Sequence, residues 1–246
     1  MTYCAALKLD DGMVFAADTR TNAGVDNVAC FRKLYAWEQA DDRVIVMLTA
    51  GNLAVTQAVV ARLNEQIDGH EENAENLHNT PTLFRAARIV GDALRSVRRV
   101  DGAELEASTG NFSVSFLLGG QIRGEPPRLF NIYPEGNFIE ATEDTPFFQI
   151  GETKYGKPIL DRVARPEMPL ADAAKLILLS FDSTLRSNLS VGMPLDLLLY
   201  RTNALRIALS RRIEKDDPYF HRLSQGWSNA LREAFNHLDG LDIEET

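Results

Sequence analysis

The sequence predicts an α+β protein, a four-layer αββα sandwich in which two antiparallel sheets stack between outer layers of helices. Three observations predict it. Short apolar runs separated by turn residues come first, amphipathic helical segments follow, and the same succession recurs in the second half. Asp11-Gly12, set between two apolar runs, marks a hairpin at the outset. No linker, repeat or low-complexity stretch interrupts the chain. Residues 1–246 therefore read as one domain with a helical extension from about residue 211.

The elements follow in order. Residues 2–9 and 13–18 are short apolar strands. A polar stretch from Thr19 to Asn27 leads to a third strand over roughly 28–37, and the Asp41-Asp42 turn precedes a fourth over 44–50. Gly51-Asn52 closes it. Val55, Val59, Leu63 and Ile67 then recur every four residues, the spacing of one helical face. His70 to Asn79 is polar and loop-like. Thr80-Pro81 opens a second helix whose stripe is Leu83, Ala87, Val90, Leu94 and Val97. Strands are expected over 113–119, 129–133, 138–141 and 147–150, and helices over about 153–164 and 170–188. Strands over 195–201 and 205–210 precede a last helix, about 217–238. Its stripe of Phe220, Leu223, Trp227, Leu231, Phe235 and Leu238 suits either the subunit's own core or a neighbour.

Composition excludes several functions. With 45% hydrophobic and 25% charged residues, the chain is globular. A net charge of −9 argues against a nucleic-acid groove, which needs a concentrated positive face. The densest basic spot, Arg95, Arg98 and Arg99, falls at the end of a predicted helix and reads as solvated or subunit-facing surface. Cys4 and Cys30 lie in apolar runs and read as small core residues, so neither a disulfide nor a zinc site is expected. His70, His78, His221 and His237 show no ligand spacing and read as surface, so no metal and no cofactor are expected. Asp239, Asp242, Glu244 and Glu245 read as a solvated tail. There is no cleavable leader before Thr2 and no apolar run near the roughly 18 residues of a membrane span. A cytoplasmic protein without membrane contact is the expectation.

The chemistry begins at Thr2. Removal of Met1 would leave a hydroxyl and a primary amine on one residue, and methionine aminopeptidases cut before small residues. An α-amine has an ordinary pKa of about 7.7–8.0, so much of it is neutral near pH 7 and can take the hydroxyl proton. Asp18 closes the second strand. In an antiparallel hairpin that end lies beside the start of the first strand, so Asp18 falls near Thr2. Arg20 follows two residues later. Lys33 is placed in the third strand, in the run Arg32-Lys33-Leu34. A lysine there commonly points to solvent; the alternative is that Lys33 enters the site, held charged by Asp18, and tunes the Thr2 hydroxyl and amine.

With these residues in place, the chain resembles the proteasome β-type N-terminal nucleophile hydrolases. The resemblance rests on Thr2, Asp18-x-Arg20, Lys33-Leu34 and Ala50-Gly51 before the first helix. Phe116-Leu117-Leu118-Gly119-Gly120, Tyr133-Pro134-Glu135-Gly136, and Gly151 followed by Lys154-Tyr155-Gly156 and Leu160 extend it over about residues 2–210. Within the family, the phrases TRTNAGVDN, FRKL, GETKYGKPILDR and RSNLSVGMPLDLL are similar to the bacterial Anbu, or ancestral β-subunit, group. The resemblance implies a threonine peptidase. Thr2 would be nucleophile and, through its amine, general base. Lys33 would lower the effective pKa at Thr2, and Asp18 would orient Lys33. The Gly51 backbone N–H would donate to the oxyanion, and Arg20 would brace the loop over 19–28 that pairs with an extended peptide. It also implies a self-compartmentalising homo-oligomer, a ring or ring-like helix, acting on peptides or unfolded protein, with an unfoldase partner left open.

The chain departs from the family's pattern in its supporting residues. The family carries a serine after the glycine that precedes its third helix and an Arg-Asp-x-x-Ser-Gly stretch after its fourth. Here Glu152 follows Gly151, and Ser187 or Asn188 takes the aspartate's place according to register. Two further readings therefore stand beside the peptidase: an amidase or acylase acting on a small amide with the same threonine, and a catalytically weak scaffold subunit. Oligomeric state separates the first of these from a peptidase, since a small-amide hydrolase needs no enclosure. The joint presence of Asp18 and Lys33 argues against the second.

Overall fold

The computed structural model describes residues 1–22, 28–69, 74–109 and 113–241. Two five-stranded antiparallel sheets form the centre. In the first, β1 (Tyr3–Lys8) lies between β10 (Phe147–Gly151) and β2 (Gly12–Asp18), and β2 pairs in turn with β11 (Leu195–Arg201), flanked by β12 (Ile207–Ile213). The second runs β5 (Leu34–Gln39), β6 (Arg43–Gly51), β7 (Val114–Ile122), β8 (Arg128–Ile132) and β9 (Phe138–Glu140). A small ribbon of β3 (Arg20–Asn22) and β4 (Val28–Cys30) stands apart from both.

The apolar runs at the start of the chain are nearly continuous because both faces of each central strand are buried, and strand parity assigns each residue to a layer. Cys4, Ala6, Met13, Phe15 and Ala17 meet Val44, Val46, Leu48 and Leu117 between the sheets. Their neighbours Tyr3, Ala5, Leu7, Val14 and Ala16 face the other way and pack against α4 (Leu170–Ser187) through Leu176, Ile177 and Phe181. On the second sheet, Ile45 and Met47 pack against α1 (Leu53–Asp68) and α2 (Leu83–Thr109) through Val55, Val59, Leu63, Leu83, Ala87, Val90 and Leu94. Three apolar layers between four layers of backbone make the αββα sandwich. Among the described residues the remaining helices are α3 (Lys157–Val163) and α5 (Pro218–Asn236).

Several expectations change. The strand expected over 28–37 is broken: β4 belongs to the ribbon, β5 to the second sheet, and Lys33 lies in the link between them rather than inside a strand. Phe31 N–H donates to the Thr19 carbonyl, whereas Thr49 N–H already donates to Lys33 O, so the chain changes partner within three residues. The second helix runs on to Thr109, which puts Arg95, Arg98 and Arg99 in its middle. Its stripe lapses after Val97, but Leu105 still reaches the core. Residues 153–156 form a turn before the short α3. Cys4 is a core residue, but Cys30 is exposed because its ribbon lies outside the sandwich. The helical segment at the C-terminus starts at Pro218, since β12 continues the sheet to Ile213. His70, residues 23–27 of the 19–28 loop, and Asp242, Glu244 and Glu245 of the tail lie outside the described residues.

Candidate active site

Thr2 sits at the open end of the cleft between the sheets, fixed from both sides of its backbone. Its carbonyl accepts a hydrogen bond from Glu152 N–H at 2.7 Å. The next residue, Tyr3, donates its N–H to Asp18 Oδ1 at 3.0 Å and pairs across β10 with Gly151. Gly151 has φ +83°, and a Cβ there would lie 2.0 Å from the Thr2 oxygen, so only glycine lets β10 come so close. Gly156 serves the same end: a Cβ would fall 2.3 Å from the buried Tyr3 hydroxyl, which donates to Ser180 Oγ. The glycines of the GETKYGK phrase thus make room for the residues that seat Thr2.

The hairpin brings Asp18 to this point, as its geometry predicts. Asp18 is fully buried and gathers the site: Lys33 Nζ at 2.8 Å and Tyr3 N–H on Oδ1, Gly192 N–H at 3.2 Å on Oδ2. Burial pushes its carboxyl above the ordinary carboxylate range, opposed by the Lys33 ammonium and these N–H donors. Lys33 points inward, buried, and its ammonium also donates to the Arg20 carbonyl. Lys33, Thr2, Thr21, Thr49, Thr56 and Gly51 line a pocket of about 460 Å³ that also touches Met1. Gly51 ends β6 with φ +124°, a conformation that suits glycine.

The Met1 amine lies in this environment. Its pKa is held below the ordinary value of 8.0, chiefly by burial and then by the Lys33 ammonium, while Asp18 and Glu152 act in the opposite sense. With Met1 attached, Thr2 nitrogen is an amide. The amine chemistry read from the sequence therefore belongs to the chain without Met1.

Of the supporting residues, Arg20 reaches the turn after α4; residues 23–27 of the loop it was expected to brace lie outside the described residues. Its guanidinium donates to the Leu189 carbonyl at 2.8 Å and packs against Gly192, where a Cβ would lie 2.1 Å from its Nε. It thereby holds the turn after α4 whose Gly192 N–H reaches Asp18. Of Ser187 and Asn188, Asn188 is the one that turns inward. Asn188 is 8% exposed and donates to Glu152 Oε2 at 2.9 Å, whereas Ser187 is solvent-exposed at the end of α4. The change of register follows from where α4 stops. Asn188 is its C-cap, with backbone N–H to the Thr184 carbonyl, and there the chain turns back toward β11.

Thr21, Thr49 and Thr56 were not apparent from the sequence as pocket residues. Thr49 and Thr56 share a hydrogen bond of 2.7 Å at the junction of β6 and α1. Thr56 is buried in the first turn of α1 beside Val55, a polar residue adjoining an otherwise apolar stripe, and that adjacency is the signal the sequence carried. Cys4 lies under Thr49 with its Sγ 3.4 Å from the Thr49 carbonyl, and burial pushes its thiol pKa far up, so it is inert core.

This geometry has close counterparts. A family model described as "Proteasome subunit" matches residues 2–196. The chain is similar to Anbu from Hyphomicrobium sp. strain MC1, at 57% identity and TM-score 0.91 over 98% of this chain and 100% of that one. It is similar to Anbu (ancestral beta-subunit) from Yersinia bercovieri, at 46% identity and TM-score 0.92 over 99% and 100%. A third counterpart is the structure described as the helical assembly of the Anbu complex from Pseudomonas aeruginosa, at 46% identity and TM-score 0.91 over 98% of each chain. No curated protein matches the chain. The chain belongs to the proteasome-subunit family, and within it to the Anbu, or ancestral β-subunit, group.

Proposed function

We propose that this chain is a threonine-type peptidase that becomes active when Met1 is removed and works inside a cytoplasmic homo-oligomer. The observation that carries the reading is the buried Asp18–Lys33 pair at 2.8 Å, set against Thr2 in the pocket. A buried lysine on a pocket that admits a peptide side chain, beside a threonine that Met1 removal makes N-terminal, has a task there: its positive charge favours the neutral amine and the developing alkoxide.

The chemistry follows from these positions. The neutral Thr2 amine takes the hydroxyl proton as Oγ attacks the scissile carbonyl carbon. The resulting oxyanion accepts from the Gly51 backbone N–H. Collapse of the tetrahedral intermediate breaks the C–N bond, and the ammonium returns its proton to the leaving amine. An ester on Thr2 Oγ remains. Water, deprotonated by the same amine, attacks this ester and regenerates the hydroxyl. A pocket of about 460 Å³ falls within the usual range of about 300–1,000 Å³ for ligand sites and admits one side chain of an extended peptide.

Self-assembly is supported by the helical assembly of the similar Pseudomonas aeruginosa protein. Enclosure would also keep such a peptidase from its own cell. The test is twofold. Intact mass establishes loss of Met1, and hydrolysis of fluorogenic peptides is compared between Met1-free protein and Thr2→Ala. Full turnover by Thr2→Ala, with an unchanged melting temperature, would remove Thr2 from the chemistry. Turnover of small amides by a stable monomer would place the amidase reading ahead.

A further inference from the structure

Glu152 is a carboxylate in an unusual position. It is 7% exposed, and its backbone N–H is bonded at 2.7 Å to the carbonyl of Thr2, the residue whose nitrogen becomes the amine. Its Oε2 accepts from Asn188 Nδ2 at 2.9 Å. Asn188 is in turn fixed, with Ser190 N–H on its Oδ1 at 2.9 Å and its own N–H on Thr184. An asparagine amide orients a carboxylate without neutralising it. The cation paired with Oε1 is Lys154, at 4.0 Å, on a side chain that is mostly in solvent. A buried carboxylate normally has a close cation or several donors, because an unpaired buried charge is costly.

Removal of Met1 would place such a cation on the Thr2 nitrogen itself. We infer that Glu152, steadied by Asn188, is the positioning residue for the Thr2 α-amine, accepting a hydrogen bond from it and holding it beside the Thr2 hydroxyl. This rests on the Thr2-centred reading above. Glu152 and Asn188 then stand where the wider family uses a serine and an aspartate: the negative charge has moved to the residue after Gly151, and the neutral partner to the end of α4. The charged groups around the N-terminus, felt by the Met1 amine, are Lys33 from the link before β5, Asp18 from the end of β2 and Glu152 from the turn after β10; Lys154 faces Glu152 from the same turn. At the Met1 amine, one residue before the Thr2 nitrogen, Lys33 disfavours the ammonium, whereas Asp18 and Glu152 favour it.

Glu152→Gln keeps the size of the side chain and an acceptor for Asn188 while deleting the charge. Asn188→Ala keeps the charge and deletes its anchor. The amine pKa is read without turnover, by pulse acetylation of Met1-free protein across pH with peptide mass spectrometry of the N-terminal fragment. Glu152→Gln is expected to lower that pKa by about one unit, because a neighbouring negative charge that favoured the ammonium is gone. It is also expected to lower kcat by about ten- to a hundredfold with KM little changed, since the amine is no longer aimed. Asn188→Ala is expected to lower kcat with a smaller change in amine pKa. An amine pKa in Glu152→Gln that is unmoved or raised would overturn the inference, whatever the activity. If the pKa falls as expected while Thr2→Ala retains full turnover, the positioning stands and the peptidase reading fails.

Discussion

Asp18 and Lys33 bury opposite charges 2.8 Å apart at the base of the cleft, and the same Asp18 oxygen that receives the ammonium also receives the N–H of the residue after Thr2. One carboxylate thus fixes both the backbone that follows Thr2 and the ammonium beside it. Burial, and after it the positive charge of Lys33, lowers the pKa of the N-terminal amine on Met1. Lys33→Met in Met1-free protein should raise it, so the acidic limb of kcat/KM, which rises as the amine loses its proton, should move to higher pH. Loss of a preorganised electrostatic partner should also remove about 2.7–4 kcal/mol of transition-state stabilisation. A pH–rate profile with the limb unmoved would take Lys33 out of the tuning.

Lys33→Met also leaves Asp18 as an uncompensated buried charge, a change that commonly costs about 3–5 kcal/mol of stability. Adding Asp18→Asn should recover part of that loss, because no charge then remains buried. It should not recover activity. Urea unfolding and peptide hydrolysis on the two variants separate the structural role of the pair from its chemical one; activity returning with stability would show that the pair only supports the fold.

Gly51→Ala tests the wall of the pocket. The residue has φ +124°, and a Cβ would meet the Ser113 carbonyl oxygen at 2.2 Å, backbone against backbone. Strain of this kind costs about 1–3 kcal/mol, and relief would require β6 and the start of β7 to separate. A lowered melting temperature together with lost hydrolysis is expected. An active variant of unchanged stability would show that neither the close approach nor the position of the N–H matters.

The layers were legible in the sequence because strand and helix periodicities dominate a core buried on both faces of its sheets. Asp18 was placed beside Thr2 by hairpin geometry alone, and Lys33 came to the same site. Its local setting was not legible: the change of partner at residues 31–33 depends on the ribbon β3–β4, which no periodicity announces. The choice of Asn188 over Ser187 depends on where α4 ends, a matter of one residue that propensity does not resolve. The bonds from Arg20 to Leu189 and from Gly192 to Asp18 join segments some 170 residues apart, and only the packed fold brings them together.

Asp217 ties the last helix to the sheet. Its Oδ1 accepts from Phe220 N–H at 2.9 Å as the N-cap of α5, and Arg211 of β12 pairs with its other oxygen. The Phe220 N–H, and after it the Arg211 guanidinium, hold its carboxyl below the ordinary range. A depressed carboxyl contributes stability above its unfolded pKa and loses that contribution as pH falls through its folded pKa. Asp217→Ala should therefore cost about 1 kcal/mol at neutral pH, and the difference from the unaltered protein should shrink in strong acid. Urea unfolding at the two pH values checks this; a gap that widens in acid would contradict the sign.

Helix α5 carries the prediction on assembly. Its stripe divides in two: Phe220 is buried and Leu223 packs on the first sheet's outer core, but Leu231, Phe235 and Leu238 are 50%, 74% and 73% exposed, and Leu241 beyond them is 87% exposed. Scattered surface leucines are ordinary, whereas four large exposed apolar residues, two on the last turns of α5 and two just beyond its end, form a patch of the kind that marks association. In a protein whose relative forms a helical assembly, a second copy is the natural cover. The double variant Phe235→Glu/Leu238→Glu changes only exposed positions, so its circular dichroism and melting temperature should match the unaltered chain. Light scattering should show smaller particles, tending toward the 27.4 kDa monomer, because two carboxylates would have to be buried at each contact. Particles of unchanged mass would mean that the neighbours meet elsewhere on the sandwich and that the end of α5 is free surface.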